Sequence, residues 1–136
     1  MIKQICAGGV ILNKDKVLVI NQDNISWSLP KGQVEGNESL IECAKREIYE
    51  ETGIKKLILV KELGCYQRNR IGKDGVSDDK SILKEIHIFV FKTNEDKIKP
   101  IDQRHPNGKW VAKNEVAELL THPKDKEFFL SIIKKL

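Results

Sequence analysis

Residues 32–54 constrain the fold most strongly, because they predict one helix with capping residues at both ends. Ser39 and Glu42 have the spacing of a capping box, in which each side chain accepts a hydrogen bond from the other residue's backbone amide. Gly53 follows directly after Thr52 and is the residue type that ends a helix in the left-handed conformation. The sequence therefore predicts one helix from Ser39 to Thr52.

The predicted helix carries three carboxylates within about one turn, beside its apolar stripe. Glu47 and Glu51 flank the stripe and Glu50 lies next to them, so their charges repel and would destabilise an isolated helix. Arg46 is one compensating charge. A hard divalent cation is another, because such ions prefer clustered carboxylate oxygen. The alternative interpretation is an acidic helix face exposed to water. The stripe consists of Leu40, Ile41, Ala44 and Ile48.

These residues belong to a longer pattern: a glycine, five residues, a glutamate, seven residues and then Arg-Glu-Ile-x-Glu-Glu-x-Gly-Ile. The pattern resembles the Nudix box of the Nudix hydrolases, and a fixed frame of this length rarely arises by chance. The matching positions are Gly32, Glu38, Arg46, Glu47, Ile48, Glu50, Glu51, Gly53 and Ile54.

The resemblance implies a reaction and a metal site. Nudix enzymes hydrolyse a nucleoside diphosphate linked to another moiety, which requires neutralised phosphate charge and an activated water. The implied cofactor is Mg²⁺, with Mn²⁺ as a substitute. Arg46 joins the catalytic set with Glu47 and Glu51, and together with Glu38 it would orient the carboxylates. The proton acceptor stays open between Glu47, Glu51 and the more distant Glu85. The implied metal ligands are Glu47, Glu50, Glu51 and the Gly32 carbonyl.

The segment before the box narrows the resemblance to a subgroup. Trp27 and the run Leu29-Pro30-Lys31-Gly32 resemble the W-x-F-P-K-G segment of Nudix enzymes that hydrolyse diadenosine polyphosphates and diphosphoinositol polyphosphates, with Leu29 in place of Phe. In this interpretation Lys31 lies on a loop and offers a positive charge to a polyphosphate, the alternative being an ordinary exposed lysine. Trp27 is a candidate substrate contact whose alternative role is a packed loop anchor.

Four further residues are candidate substrate contacts. Gly8 and Gly9 interrupt the predicted strand Gln4 to Asn13, and glycine in a strand often marks close approach of a ligand or of another backbone. Glu85 and His87 alternate with apolar residues in a strand from Ile82 to Thr93, so either could face the cleft. A tight sheet crossing at the glycines and ordinary packing of His87 are the alternatives.

The polar segment from Arg68 to Lys80 predicts a solvated hairpin loop with a turn at Asp74-Gly75. A flap over the substrate phosphates is the alternative role for this loop.

Helices follow and interrupt the strands without strict alternation. Beyond the boxed helix, the sequence predicts a short strand at 109–111, a helix at about 114–120 and a final helix from Pro123 to Leu136. This order fits the α/β class, specifically an α/β/α sandwich around a mixed β-sheet, which is the Nudix fold. We expect residues 1–136 to form a single Nudix domain.

The resemblance favours asymmetric cleavage of dinucleoside polyphosphates, such as diadenosine tetraphosphate to ATP and AMP. The alternatives within the class are a house-cleaning pyrophosphatase for oxidised nucleoside triphosphates, an ADP-ribose pyrophosphatase and a diphosphoinositol polyphosphate hydrolase. A non-catalytic nucleotide-binding regulatory domain is a second class, disfavoured by the intact carboxylates. A purely structural α/β domain is a third class, and in such a domain the repulsion among three clustered glutamates would lower stability without serving a function.

The composition of the chain indicates which binding partners and which cellular compartment to expect. The net charge is +4 with basic residues spread along the chain, which favours a small nucleotide polyphosphate and gives no reason to expect a nucleic-acid partner. The three cysteines form no CxxC pair, which suits a reducing cytoplasm. No apolar run is long enough to span a bilayer, so no membrane association is expected. A monomer and a homodimer both remain open.

Overall fold

The computed structural model describes residues 1–72, 74, 77–102 and 107–136. Within these residues, strands pair into one mixed sheet with helices on both of its faces. The strands are β1 (Ile2–Asn13), β2 (Lys16–Gln22), β3 (Ser26–Ser28), β4 (Lys31–Gln33), β5 (Ile58–Ile71), β6 (Asp78–Lys92) and β7 (Asn107–Ala112). The helices are α1 (Leu40–Thr52), α2 (Val116–Leu119) and α3 (Pro123–Ile132), with 3-10 turns at Lys113–Glu115 and Ile133–Lys135.

Strand β1 is the centre of the sheet. The main path runs β3-β2-β1-β6-β5, in which β1 and β6 are parallel and the other neighbours are antiparallel. Strand β7 pairs with β2, and the short strand β4 pairs with the first half of β1. This register places Gly32 opposite Ala7 and Lys31 opposite Gly8.

Two apolar layers confirm the predicted α/β/α sandwich. Helix α1 covers one face of the sheet, where Ile48 packs with Phe89 and Phe91 of β6. Helices α2 and α3 cover the other face, where Phe129 packs with Ile86. The alternation predicted for β6 is therefore confirmed, because its odd-numbered and even-numbered residues point into different layers.

The ends of α1 also match the prediction. The Ser39 hydroxyl accepts from the Glu42 amide at 3.2 Å, and the Glu42 carboxylate accepts from the Ser39 amide at 2.9 Å. Gly53 has a φ of 78° and its amide donates to the Tyr49 carbonyl at 2.8 Å. A Cβ at Gly53 would also lie 2.3 Å from the Lys99 carbonyl oxygen, so glycine is required here on two grounds.

The prediction of a loop from Arg68 to Lys80 is wrong over most of its length. Strand β5 continues to Ile71 and β6 begins at Asp78, with Arg70 paired across to Asp79. Arg68 is buried and its guanidinium donates to the Asp125 carboxylate at 2.8 Å, so its polar character reflects an internal ion pair. Of the predicted Asp74-Gly75 turn, Gly75 lies outside the described residues.

Three smaller boundaries differ from the predictions. The segment expected to be a loop before Gly32 contains the strands β3 and β4, which are three residues each and too short to show a period. The helix expected at 114–120 is a 3-10 turn followed by the short α2. The final α-helix ends at Ile132 and continues as a 3-10 turn. No helix in the described part of the chain has the length and apolar character needed to span a bilayer.

Candidate active site

Two of the three glutamates predicted to bind metal lie where α1 packs against β4. The Glu47 carboxylate lies so close to Gly32 that a Cβ on this glycine would be 2.0 Å from the Glu47 Cδ. The Lys31 amide donates to Glu51 Oε1 at 3.2 Å, and Glu51 is only 3% exposed. The thiol of the buried Cys43 donates to the Gly32 carbonyl at 3.4 Å. Gly32 therefore leaves room for the Glu47 carboxylate, and Glu51 contacts the same strand at the neighbouring Lys31 amide.

These two carboxyl groups have the electrostatics of a cation site. Burial raises the pKa of Glu51 well above its ordinary value and also raises that of Glu47. The two carboxyl groups are close enough for each to affect the pKa of the other. A hard divalent cation suits the same position, because the two carboxyl groups and the Gly32 carbonyl all offer oxygen ligands. Glu47 and Glu51, with the Gly32 carbonyl, thus fit the predicted Mg²⁺ chemistry.

Arg46 holds the outer side of this site. Its guanidinium donates to Glu38 at 2.6 and 3.0 Å, to Glu47 at 2.8 Å and to the Gln33 carbonyl at 2.9 Å. Its bond to Glu38 lowers the pKa of that carboxyl to about 2, and the same contacts raise the pKa of Arg46. Arg46 therefore connects the loop before α1 to the Glu47 carboxylate, and its role in orienting that carboxylate for catalysis stays a prediction.

Glu50 is placed differently from its two neighbours. Its side chain is 38% exposed and lies 3.3 Å from the Arg46 guanidinium, on the solvent side of the site. Among the described residues, no three acidic, histidine or cysteine side chains converge closely enough to bind a metal ion together. The predicted role of Glu50 as a ligand therefore requires its side chain to turn from Arg46 toward the buried pair.

Lys31 lies in β4 and is 8% exposed, so its predicted place on a loop and its alternative role as an exposed lysine are both wrong, while its contact with substrate stays a prediction. Burial lowers its pKa, and the positive charge of Arg68 lowers it further. Because side chains alternate along a strand and Gly32 faces α1, the Lys31 side chain points to the α3 side of the sheet. Lys31 is thus a buried cation whose amide contacts the carboxylate site.

The chain's own residues fill the space around the other predicted contacts near β1. A Cβ at Gly8 would lie 2.1 Å from the Pro30 carbonyl oxygen, and one at Gly9 would lie 2.8 Å from the Phe91 ring. The Trp27 amide donates to the Thr121 hydroxyl at 2.8 Å, and the ring packs against the apolar layer under α3. Tight packing accounts for these residues, and their contact with substrate stays a prediction.

Glu85 and His87 lie on the α1 side of β6 and contact each other. Glu85 accepts from Lys3 at 3.0 Å and lies 2.9 Å from His87 Nε2, and these contacts lower its pKa to about 2. A carboxylate with so low a pKa is a weak proton acceptor near neutral pH. This favours Glu47 or Glu51 as the base, while the substrate contacts of Glu85 and His87 stay predictions.

A cavity of about 540 Å³ with several basic lining residues, which was not predicted from the sequence, lies on the α3 side of the sheet. Lys84, Arg68 and Arg70 line it, together with residues of the turn between β2 and β3. One signal was available in the sequence: Lys84 lies between Ile82 and Ile86 on the apolar side of β6, where a charged residue needs an explanation.

Comparison with known proteins agrees with this arrangement. The NUDIX domain family matches residues 2–132. The RNA pyrophosphohydrolase of Pelagibacter ubique is 33% identical over 126 residues, covering 83% of this chain and 78% of that protein. Another match is local: the RNA pyrophosphohydrolase of Bartonella henselae is 50% identical over 36 residues, which are 26% of this chain and 21% of that protein.

Two solved structures show the same fold. The E. coli dihydroneopterin triphosphate pyrophosphohydrolase superposes with a TM-score of 0.76 at 18% identity, covering all of both chains. A C. elegans Ap4A hydrolase binary complex superposes with a TM-score of 0.75 at 20% identity, covering 97% of this chain and 96% of that one. The chain therefore belongs to the Nudix family and is a Nudix hydrolase.

Proposed function

We propose that this protein is a Mg²⁺-dependent hydrolase of phosphoanhydride bonds that cleaves dinucleoside polyphosphates asymmetrically, with diadenosine tetraphosphate giving ATP and AMP. The observation that carries the proposal is the pair of carboxyl groups, the half-buried Glu47 and the buried Glu51, beside Gly32. Taking carboxylates out of water costs stability unless cations compensate them, and Arg46 contacts only Glu47 of this pair.

The residues of the site divide the work of the reaction. Glu47, Glu51 and the Gly32 carbonyl would hold Mg²⁺, which when bound would supply positive charge to the oxygens of the scissile phosphoanhydride. Glu50 would join them from the solvent side. Arg46 fixes the orientation of Glu47 through its 2.8 Å contact. Removing a positioned group of this kind from a phosphoryl-transfer site typically costs orders of magnitude in rate.

The attacking water loses its proton to one of the paired carboxylates. Glu47 and Glu51 lie beside Gly32, whereas Glu85 is hydrogen-bonded to His87 and Lys3, which lowers the pKa of Glu85 to about 2 and makes it the weaker proton acceptor. Attack in line with the leaving group is directed at one phosphorus, because the site lies at a fixed distance from the substrate's bound end. A fixed distance gives unequal products from a symmetric substrate.

Two observations support the choice of substrate, and they point to different compounds. The segment from Trp27 to Gly32 resembles enzymes of dinucleoside polyphosphates, and the fold is shared with a C. elegans Ap4A hydrolase. The Pelagibacter ubique relative is an RNA pyrophosphohydrolase, which favours release of pyrophosphate from a 5′-triphosphate end as the second candidate. Both reactions cleave a phosphoanhydride of a nucleotide and require the same carboxylates.

Product analysis distinguishes these candidates. Purified protein with Mg²⁺ is supplied in parallel with diadenosine tetraphosphate, a 5′-triphosphorylated oligoribonucleotide, oxidised dGTP, ADP-ribose and a diphosphoinositol polyphosphate, in water enriched in ¹⁸O. We expect ATP and AMP from diadenosine tetraphosphate, with the label in only one product. Two ADP molecules would refute this placement of the site. Pyrophosphate release from the oligoribonucleotide, without cleavage of diadenosine tetraphosphate, would select the second candidate.

A matched pair of variants assigns any turnover to this site. Glu51→Gln removes the charge of the buried carboxylate, whereas Glu127→Gln removes an exposed carboxylate on α3, remote from the site. Turnover should fall by orders of magnitude in the first variant only.

A further inference from the structure

The first turn of α3 is capped by a buried histidine. His122 is the N-cap residue of this helix, and its Nδ1 accepts a hydrogen bond from the Lys124 amide at 3.0 Å. The residue is only 4% exposed. Serine, threonine, asparagine and aspartate are the usual residues at this position, and none of them changes its charge near neutral pH as histidine does. The choice of a histidine therefore makes this cap sensitive to protons.

The capping hydrogen bond fixes the protonation of the ring. A ring nitrogen that accepts a hydrogen bond carries no proton, so the neutral His122 ring has its proton on Nε2. This nitrogen lies 3.3 Å from Asp78 Oδ1 at the start of β6, without the geometry of a hydrogen bond. A second proton would have to bind to Nδ1, where it would point at the Lys124 amide, which is itself a donor. The charged ring therefore cannot cap the helix, and its charge would lie at the positive end of the helix dipole.

The charged groups that face His122 come from three elements. Arg68 of β5 repels a charged ring, whereas Asp125 of α3 and Asp78 of β6 attract it. The Asp125 carboxylate already accepts from the Arg68 guanidinium at 2.8 Å and from the Tyr66 hydroxyl at 2.5 Å. The Asp78 side chain is 45% exposed, so water and salt screen its charge. Burial, followed by the charge of Arg68, lowers the pKa of His122, and the ring is therefore neutral at pH 7.

The turn that His122 caps holds α3 against β5. Asp125 lies in this turn, is 2% exposed and is the partner of both Arg68 and Tyr66 on β5. The Tyr66 ring also stacks on Phe128, one turn further along α3, with 4.4 Å between the ring centres. Opening of the first turn would move Asp125 away from its two partners. The cap therefore controls a polar contact between two layers of the fold.

Thr121, directly before the cap, connects the start of α3 to β3. Its hydroxyl accepts from the Trp27 amide at 2.8 Å, and its own amide donates to the Trp27 carbonyl at 3.1 Å. From Trp27 the chain continues within a few residues to β4, where Gly32 lies against the Glu47 carboxylate. The residues around the cap are thus hydrogen-bonded to the segment that leads into the carboxylate site.

We propose that His122 is a pH-sensitive cap: protonation of its ring breaks the hydrogen bond to the Lys124 amide and opens the first turn of α3. The neutral ring caps and the charged ring does not, so the closed turn predominates at neutral pH. The open turn gains population as pH falls below the ordinary histidine pKa of about 6.5, because the opened state then binds a proton that the closed state excludes. The inference goes beyond the proposed hydrolase function and does not depend on which bond is cleaved.

The first test follows the ring and the helix in one NMR titration of the metal-free protein from pH 7.5 to pH 4.5. We expect the His122 ring to titrate below about pH 6.5. With the same midpoint, hydrogen-exchange protection of the Lys124 amide, corrected for the intrinsic rate at each pH, should fall about tenfold, as for the loss of one cap. The amide of Ile48, in the buried face of α1, is the control and should keep its protection.

Two variants separate protonation of the ring from other effects of acid. His122→Asn keeps a capping oxygen that does not titrate, so protection of the Lys124 amide should stay constant over the same pH range. Asp78→Asn removes an attraction for the charged ring and should shift both midpoints to lower pH by the same amount. Asp15→Asn, which removes an exposed carboxylate at the turn between β1 and β2, should leave both midpoints unchanged.

Urea unfolding gives a second readout with the same sign. The unfolding equilibrium constant of the wild type, divided by that of His122→Asn, should be constant above pH 7 and rise about tenfold between pH 7 and pH 5. The carboxylates of the protein titrate in both variants, so their effects cancel in this ratio. A ratio that stayed constant over the whole range would contradict the proposal.

Three NMR results would also overturn the proposal. The His122 ring could titrate without a change at the Lys124 amide, it could stay neutral to pH 4.5 in the folded protein, or His122→Asn could lose protection at the same pH as the wild type. If His122→Asn does not fold, the Asp78→Asn titration decides the question, because unequal shifts of the ring and amide midpoints would refute the coupling. None of these measurements requires a substrate, so failure of the hydrolase proposal would leave the test of the cap intact.

Discussion

Replacing Arg46 by alanine removes the contacts that hold the outer side of the carboxylate site. The guanidinium makes two hydrogen bonds to Glu38, one to Glu47 at 2.8 Å, one to the Gln33 carbonyl at 2.9 Å and a longer contact to Glu50. The Arg46 side chain is only 23% exposed, so water replaces these partners incompletely. The loss also leaves the repulsion among the carboxylates unopposed.

The expected magnitude follows from these contacts. A hydrogen bond to a charged group contributes about 1.5–3 kcal/mol, but bonds that share one guanidinium are not additive and the side chain is partly exposed. We therefore expect Arg46→Ala to lower the free energy of unfolding by about 2–4 kcal/mol in EDTA, and by less with Mg²⁺ because the cation offsets the repulsion. Arg46→Lys should recover only part of the loss, since lysine lacks the planar fork.

Urea unfolding followed by circular dichroism measures these differences, and Lys45→Ala is the control. Lys45 is the adjacent exposed residue on the same helix, and its substitution should change stability by no more than about 0.5 kcal/mol. If Arg46→Ala lay within 0.5 kcal/mol of this control, both with and without Mg²⁺, the guanidinium would not stabilise the site and its orienting role would be refuted.

Three further changes test other parts of the arrangement. Because burial raises the folded-state pKa of Glu51, the free energy of unfolding of the wild type in EDTA should fall as pH rises from about 4.5 through that raised value. In urea unfolding, Glu51→Gln should therefore gain stability relative to the wild type between pH 5 and pH 8. A difference in unfolding free energy between the two proteins that stayed constant with pH would contradict this. Gly32→Ala should displace the Glu47 carboxylate, costing about 1–3 kcal/mol in thermal unfolding and most of the turnover, and normal turnover would refute the close packing of these groups. Asp125→Ala should lower the free energy of unfolding, measured from the urea midpoint, by about 3–5 kcal/mol, because it leaves the Arg68 guanidinium buried without a carboxylate. A loss below about 1 kcal/mol would show that water replaces Asp125 as the partner of Arg68.

The sequence predicts those elements whose signals are local. The capping box and the terminal glycine of α1 lie within one helix, so each signal can be recognised without knowledge of the fold. The two faces of β6 are predictable because its alternation extends over many residues. The positions of Glu47 and Glu51 follow from the helix period alone.

Long-range pairing explains what the sequence did not predict. Arg68 resembles a loop residue among its polar neighbours, and only the fold reveals Asp125, 57 positions later, as its partner. Lys31 likewise becomes a buried cation through the pairing of a three-residue strand that has no period of its own. The basic cavity is assembled from three separate segments, so no single pattern in the sequence contains it.

The short strand β4 distributes the chemistry between the two faces of the sheet. Neighbouring residues in a strand point in opposite directions, so Gly32 faces the carboxylates of α1 while Lys31 faces the cations under α3. The Gly9 amide donates to the Pro30 carbonyl at 3.1 Å, and Gly8 leaves no space beside that carbonyl, which fixes the position of β4 on β1. A shift of one residue would exchange the two faces and place a lysine side chain against Glu47. The glycines of β1, which the sequence suggested as substrate contacts, therefore have a sufficient role in setting this register.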